Sequence, residues 1–202
     1  MSEPILMPFQ DKPFNGDTFM EEAFLSLKKD YGIEVAVETG SCLYVTTKWL
    51  GEHFDEVHTI EINADYAAAG IHRVKEMQNV HTYIGDSPNI LSSIMPKFQN
   101  KRTLFFLDAH WQDKCPLLSE LDIITQMNVP PVIVIHDFYT PNPEFGYDSY
   151  NGQPFTYEWI KHLVDKLIYN TDMPYIHTYN VEATGAKRGV IYLKPLLIEK
   201  EI

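Results

Sequence analysis

Apolar positions along the chain alternate between two rhythms. Short runs at 33–37, 57–61, 80–84, 103–107 and 132–136 are separated by helix-compatible segments near 43–51, 64–76, 88–98 and 117–127. The runs at 103–107 and 132–136 are nearly continuous in aliphatic or aromatic residues, the pattern of parallel strands buried on both faces. Ahead of them, Thr18 opens an amphipathic helix through roughly Lys29, with Phe19, Ala23, Phe24 and Leu27 on one face and Glu21 and Glu22 in the first turn. Behind them, residues 139–155 are rich in Pro, Gly, Asn and Tyr and predict an irregular loop over the sheet edge, a candidate substrate loop. Helical periodicity resumes from Thr156 to about Tyr169, and Tyr175–Tyr179 with Gly189–Leu193 predict a closing pair of strands. The expectation is one α/β domain over residues 1–202, with an irregular lead-in at 1–17 marked by Pro4, Pro8, Pro13 and Gly16.

Charge narrows the range of partners. With 16 basic against 28 acidic residues, the net charge of -12 argues against a broad nucleic-acid or anionic-membrane surface and favours small-molecule chemistry. Cys42 and Cys115 form neither a disulfide framework nor a CxxC pair, which predicts a reducing, cytoplasmic setting. The opening residues lack a basic and apolar leader, and no run reaches the length of a membrane span.

The informative residues stand where the apolar runs end. An open sheet builds its ligand crevice there. The run through Val37 leads into Glu38, Thr39, Gly40 and Ser41, a small-residue turn in which Gly40 permits close backbone approach and Glu38 can hold an amine or a backbone N–H. Glu61 closes the next run, where a carboxylate can accept both hydroxyl hydrogens of a ribose. Gly85, Asp86 and Ser87 follow the third, with an acid able to bind an adenine-like amino group or to cap the next helix. A dinucleotide G-x-G-x-x-G is absent, so the three loops suit a nucleoside ligand without a pyrophosphate.

The order VAVETGS, VHTIEIN, YIGDSPNIL, LFFLDAHW and VIVIHDF over residues 33–138 resembles class I S-adenosylmethionine-dependent methyltransferases, in particular bacterial small-molecule and sugar O-methyltransferases. The resemblance implies a three-layer α/β/α Rossmann-like methyltransferase fold with a seven-stranded, mostly parallel sheet and a C-terminal antiparallel hairpin. It also implies an S-adenosylmethionine site in which the loop of Glu38, Thr39, Gly40 and Ser41 faces the methionine portion. Glu61 would then face the ribose, and Asp86 with Ser87 the adenine, with Gly85 and Asp108 as further cofactor-binding residues. One departure is Cys42, which follows Ser41 where the family's E-x-G-x-G pattern has a second glycine.

Asp108 and His110, and then His136 and Asp137, terminate the two most apolar runs. If those strands are neighbours, the side chains converge on a substrate hydroxyl or a divalent ion. Asp108, His136 and Asp137 are the expected ligands of Mg²⁺ or another divalent metal, and His110 is the leading general base with Asp108 beside it. By resemblance, His136 stands where metal-dependent O-methyltransferases carry a carboxylate. Trp111, Phe138, Tyr139, Tyr147, Tyr150 and Phe155 are candidates for an aromatic acceptor pocket, whereas Trp49 and Trp159 are expected to pack helices. The sequence expectation is methyl transfer to an oxygen of a small metabolite or glycan, with a homodimer as the resemblance's implied assembly. A metal-dependent hydrolase is the alternative from another reaction class, and an S-adenosylmethionine-binding protein without catalysis is the other. The hydrolase reading lacks a further histidine cluster and gives Glu61 no task.

Overall fold

The computed structural model describes residue 9, residues 11–109 and residues 115–197. The strands are β1 (Val35–Thr39), β2 (Glu56–Glu61), β3 (Val80–Ile84), β4 (Thr103–Leu107), β5 (Val132–Ile135), β6 (Ser149–Tyr150), β7 (Gln153–Pro154), β8 (Tyr175–Tyr179) and β9 (Ile191–Pro195). The helices are α1 (Thr18–Tyr31), α2 (Val45–His53), α3 (Ala64–Gly70), α4 (Ser87–Ile94), α5 (Leu117–Ile124) and α6 (Tyr157–Thr171). Seven strands form one sheet in the order β3-β2-β1-β4-β5-β9-β8, while β6 and β7 make a separate two-stranded ribbon. Strands β1 to β5 pair in parallel, and β9 enters antiparallel between β5 and β8.

Side-chain alternation divides the core into two layers. Val35, Val37, Phe105, Leu107, Ile133 and Ile135 pack under α4, α5 and α6, whose Leu91, Leu121 and Leu163 face them. Ala36, Leu104, Phe106, Val132 and Val134 face the other way, against Phe24 of α1 and Leu50 of α2. Phe14, from the short turn at Pro13–Gly16, joins this second layer edge-on to Trp49 and Phe106. The result is the expected three-layer α/β/α sandwich with its antiparallel pair at the C-terminal end. The sheet order reverses between β1 and β4, so the carboxyl ends of these strands border the crevice where such sheets receive ligands.

Three details depart from the sequence expectation. First, β1 begins and ends two residues later than the apolar run, because pairing starts with Val35 opposite Thr103, and this draws Glu38 and Thr39 into the strand. Second, the 139–155 segment is not wholly irregular: Ser149 and Tyr150 pair with Pro154 and Gln153. Third, Phe138 and Phe155 are fully buried in the core, and Tyr150 stacks on Phe155, so these rings anchor the segment and do not line an open pocket. Trp111 lies outside the described residues. Among the described residues no helix is long and apolar enough to cross a membrane.

Candidate active site

The carboxyl end of β1 is tied to its neighbours at close range. Gly40, at φ +82°, sits where a Cβ would fall 2.5 Å from the Asp108 carbonyl oxygen, so only glycine allows the β1 and β4 ends to approach this closely. The backbone N–H of Asp108 donates to the Thr39 carbonyl at 3.1 Å, and that of Gly40 donates to the Ile60 carbonyl at 2.9 Å. Gly40 thus serves strand approach directly, and brings Thr39, Ile60 and Asp108 to one edge.

Glu38 and Glu61 take different sides of this edge. Glu38 is buried on the α2 face, where one carboxylate oxygen accepts the hydroxyls of Thr47 and, at 2.6 Å, Thr59. Burial raises its pKa to about 7 despite the two threonine hydroxyls that favour the charged form. Glu61, at the end of β2, accepts the backbone N–H groups of Cys42 at 2.6 Å and Asn63 at 2.7 Å. Burial pushes its pKa up, while these N–H groups pull it back. The interaction fixes the loop after β1, in which Cys42 has a left-handed φ of 49° at the position where the family pattern has glycine.

Two hydroxyls, one at the end of β1 and one on the loop after it, have unmet hydrogen-bonding capacity. Thr39 Oγ1 is buried with no hydrogen-bond partner among the described residues, and Ser41 Oγ is buried with the Tyr44 hydroxyl beside it. Buried polar atoms without partners are rare in folded proteins and point to an absent ligand or solvent. A methionine-bearing nucleoside supplies ammonium and carboxylate groups that would engage such hydroxyls, so the residues present fit the cofactor that the fold implies. On the adjoining β3–α4 turn, Asp86 occupies the N-cap position without capping the helix; its carboxylate instead accepts the Asn89 side-chain amide at 2.9 Å. Gly85 donates its N–H to the Glu61 carbonyl at 2.9 Å, which holds this turn beside the β2 end. Ser87 is buried and its hydroxyl donates to Glu120 of α5, so its side chain secures α4 against α5.

The ends of β4 and β5 converge as the apolar runs imply. His136 Nδ1 lies 3.0 Å from Asp108 Oδ1 and 3.5 Å from Asp137 Oδ2. Burial opposes the charged imidazole, but Asp137 and Asp108 outweigh it and hold the His136 pKa well above its ordinary value. Asp137, at a left-handed φ of 55°, also accepts Arg188 Nε, and a terminal nitrogen of the same guanidinium reaches Asp148 Oδ1. Burial opposes the Arg188 charge too, yet the two carboxylates raise its pKa further. Arg188 and Asp148 were not among the sequence candidates; a lone arginine and a lone aspartate in polar loops carry no periodic signal. His110, the expected general base, lies outside the described residues.

Donor atoms of Asp108, His136 and Asp137 lie within 4.8 Å of one another, the span of a cation's ligand shell. The occupied contacts nevertheless disagree with a metal: His136 Nδ1 faces two carboxylate acceptors and must carry a hydrogen, and Asp137 already holds a guanidinium. A second grouping, Glu56, His58 and His81, lies on different strands, near the start of β2 and β3. There Lys97 donates to the Tyr83 hydroxyl at 3.1 Å, His58 bridges Tyr83 and Glu56, and Lys101 pairs with Glu56, so Glu56 and His58 already have partners within the protein.

Tyr139 and Tyr147 flank the Asp137 and Asp148 positions, edge-to-face at 5.1 Å and nearly half exposed. They are the two of the predicted aromatic residues that present ring faces to solvent among the described positions. Cys115 is half-buried and its thiol pKa is pushed up to about 11 by burial, which leaves it in its unreactive form near neutrality.

No protein-family model matches the chain, and no curated protein matches it in sequence. Solved structures do match in shape. An O-methyltransferase from Bacillus cereus in complex with SAH aligns over 90% of this chain and 83% of its own, with TM-score 0.59 and 16% identity. The O-methyltransferase TomG from Streptomyces achromogenes, involved in tomaymycin synthesis and in complex with SAM, covers 86% of this chain and 78% of its own, with TM-score 0.60 and 15% identity. An rRNA methylase from Streptococcus thermophilus covers 96% of this chain and 100% of its own, with TM-score 0.51 and 11% identity. The chain therefore has the Rossmann-like fold of class I S-adenosylmethionine-dependent methyltransferases.

Proposed function

We propose that the chain is an S-adenosylmethionine-dependent methyltransferase that acts on an oxygen of a small metabolite or sugar. The observation that carries this reading is the buried hydroxyl of Thr39, without a partner among the described residues, at the switch point of the sheet, next to a loop that the Glu61 carboxylate holds in place. It supports a polar ligand across the ends of β1 and β2, with Glu61 toward the ribose and Asp86 toward the adenine. Glu38 supports the loop from beneath, through Thr47 and Thr59.

When bound, S-adenosylmethionine supplies a methyl group activated by its sulfonium. The residues at this edge would then align an acceptor hydroxyl with that group and take up the proton it gives up. His110 is the proposed base, with Asp108 orienting the acceptor or the imidazole. Tyr139 and Tyr147 offer faces against which a ring-bearing acceptor can align. The fold alone does not choose between acceptors, since its neighbours include enzymes named for O-methylation and for rRNA; the net charge of -12 favours the small molecule.

Incubation with methyl-labelled S-adenosylmethionine and a panel of hydroxylated acceptors tests this directly. The reading predicts acceptor-dependent release of S-adenosylhomocysteine and a labelled methyl group on an acceptor oxygen. Cofactor binding without transfer to any acceptor would favour the noncatalytic binding protein, and hydrolysis of phosphoester substrates without cofactor binding would favour the hydrolase.

A further inference from the structure

The acids that follow β4 and β5 lie where a divalent ion would bridge them, yet their surroundings are already cationic. His136, almost wholly buried, points Nδ1 between Asp108 and Asp137, and both neighbours are acceptors. The nitrogen between them therefore carries hydrogen and has no lone pair to offer a metal. On the other side of Asp137, Arg188 places one nitrogen on Asp137 and another on Asp148, a fork that joins two loops.

The backbone sets this fork in register. Phe138 N–H donates to the Gly189 carbonyl at 2.8 Å, Gly189 N–H to the Gly146 carbonyl at 2.8 Å, and Asp148 N–H to the Asp137 carbonyl at 2.8 Å. A Cβ at position 189 would fall 2.1 Å from the Phe138 carbonyl oxygen, so glycine next to Arg188 is needed for the β8–β9 loop to come this close. The lead-in closes the same region: Asp17 accepts the Thr184 N–H at 3.2 Å and interacts electrostatically with His136. Arg188 is thus delivered to Asp137 by a built arrangement involving three separate loops.

We propose that Arg188 is the resident counter-ion of this acid cluster, with the His136 ring N–H donating between Asp108 and Asp137, and that this arrangement takes the place of a divalent metal there. Arg188 is then a positioning residue: it fixes Asp137 and Asp148 and ties the 139–155 segment to the sheet edge. The inference concerns which groups partner these acids and does not require the methyl-transfer reading, so either can fail without the other.

The test uses the full-length protein, freed of metal by a chelator. Mn²⁺ is titrated in and followed by the paramagnetic resonance signal of the free ion, with Mg²⁺ as competitor. The expected result is no stoichiometric binding and no change of unfolding temperature on adding metal or chelator. One ion bound per chain, lost in Asp137→Asn, would overturn the proposal. Arg188→Gln and Asp137→Asn, singly and together, give a second readout in unfolding temperature: each single change should lower it by several degrees, and the double variant should lose clearly less than the sum. Additive losses would contradict the pairing. If Arg188→Gln does not fold, Arg188→Lys serves in the same cycle, where loss of the two-pronged contact should again lower the unfolding temperature.

Discussion

The Glu61 carboxylate accepts the backbone N–H of Cys42 at 2.6 Å, and so ties the end of β2 to the loop after β1. Its other oxygen takes the N–H of Asn63 at 2.7 Å. Glu61→Ala leaves both part-buried backbone N–H groups without that acceptor and should cost about 1 kcal/mol of stability. If the same carboxylate meets a ribose, affinity for S-adenosylhomocysteine should also fall by about tenfold or more, corresponding to at least about 1.4 kcal/mol. Denaturant unfolding and calorimetry on one preparation separate the effects; an intact affinity in a folded variant would remove Glu61 from the ligand site.

Thr39→Val distinguishes a ligand-facing hydroxyl from a packing residue. Its Oγ1 is buried without a partner among the described residues, so the valine variant should be more stable than the parent by about 1 kcal/mol when no ligand is present. Ligand affinity should move oppositely, falling about five- to tenfold as a hydrogen bond is lost. A variant that is destabilised and binds normally would show that the hydroxyl works inside the fold.

Cys42 adopts a left-handed φ of 49°, a conformation costly for any residue with a Cβ. Cys42→Gly should stabilise the protein by about 1 kcal/mol, the strain relieved exceeding the added freedom of the unfolded chain. Thermal and denaturant unfolding would check it, and a loss of stability would mean that the thiol contributes packing worth more than the strain.

Glu38 makes stability depend on pH. Its pKa, raised to about 7 by burial, lies above the unfolded value, so the folded state binds more protons between the two. The penalty is absent below the ordinary carboxylate pKa, grows as pH rises toward about 7, and is complete above it, reaching about 3 kcal/mol. Relative to Glu38→Gln, the wild type should therefore lose stability from pH 5 to pH 8. Parallel pH profiles of unfolding free energy for the two proteins would contradict this assignment.

The sequence makes the strands legible because burial on both faces leaves nearly unbroken apolar runs, and β3 and β4 occupy the residues those runs mark. It also locates Asp108, His136 and Asp137, since an acid or histidine ending such a run must emerge at the sheet edge. Side-chain direction is less legible. Because β1 extends through Thr39, strand alternation puts Glu38 on the same face as Ala36, toward α2, and Ser87 turns toward Glu120 through helix packing. Arg188 is invisible from local pattern: it reaches Asp137 across 51 residues, and only the antiparallel insertion of β9 beside β5 brings them together.

Calorimetric titration of the purified protein with S-adenosylhomocysteine, in the presence of chelator, tests the central claim most directly. The account predicts saturable one-to-one binding in the micromolar range, unchanged by added Mg²⁺. The absence of binding, with the protein shown to be folded, would contradict it.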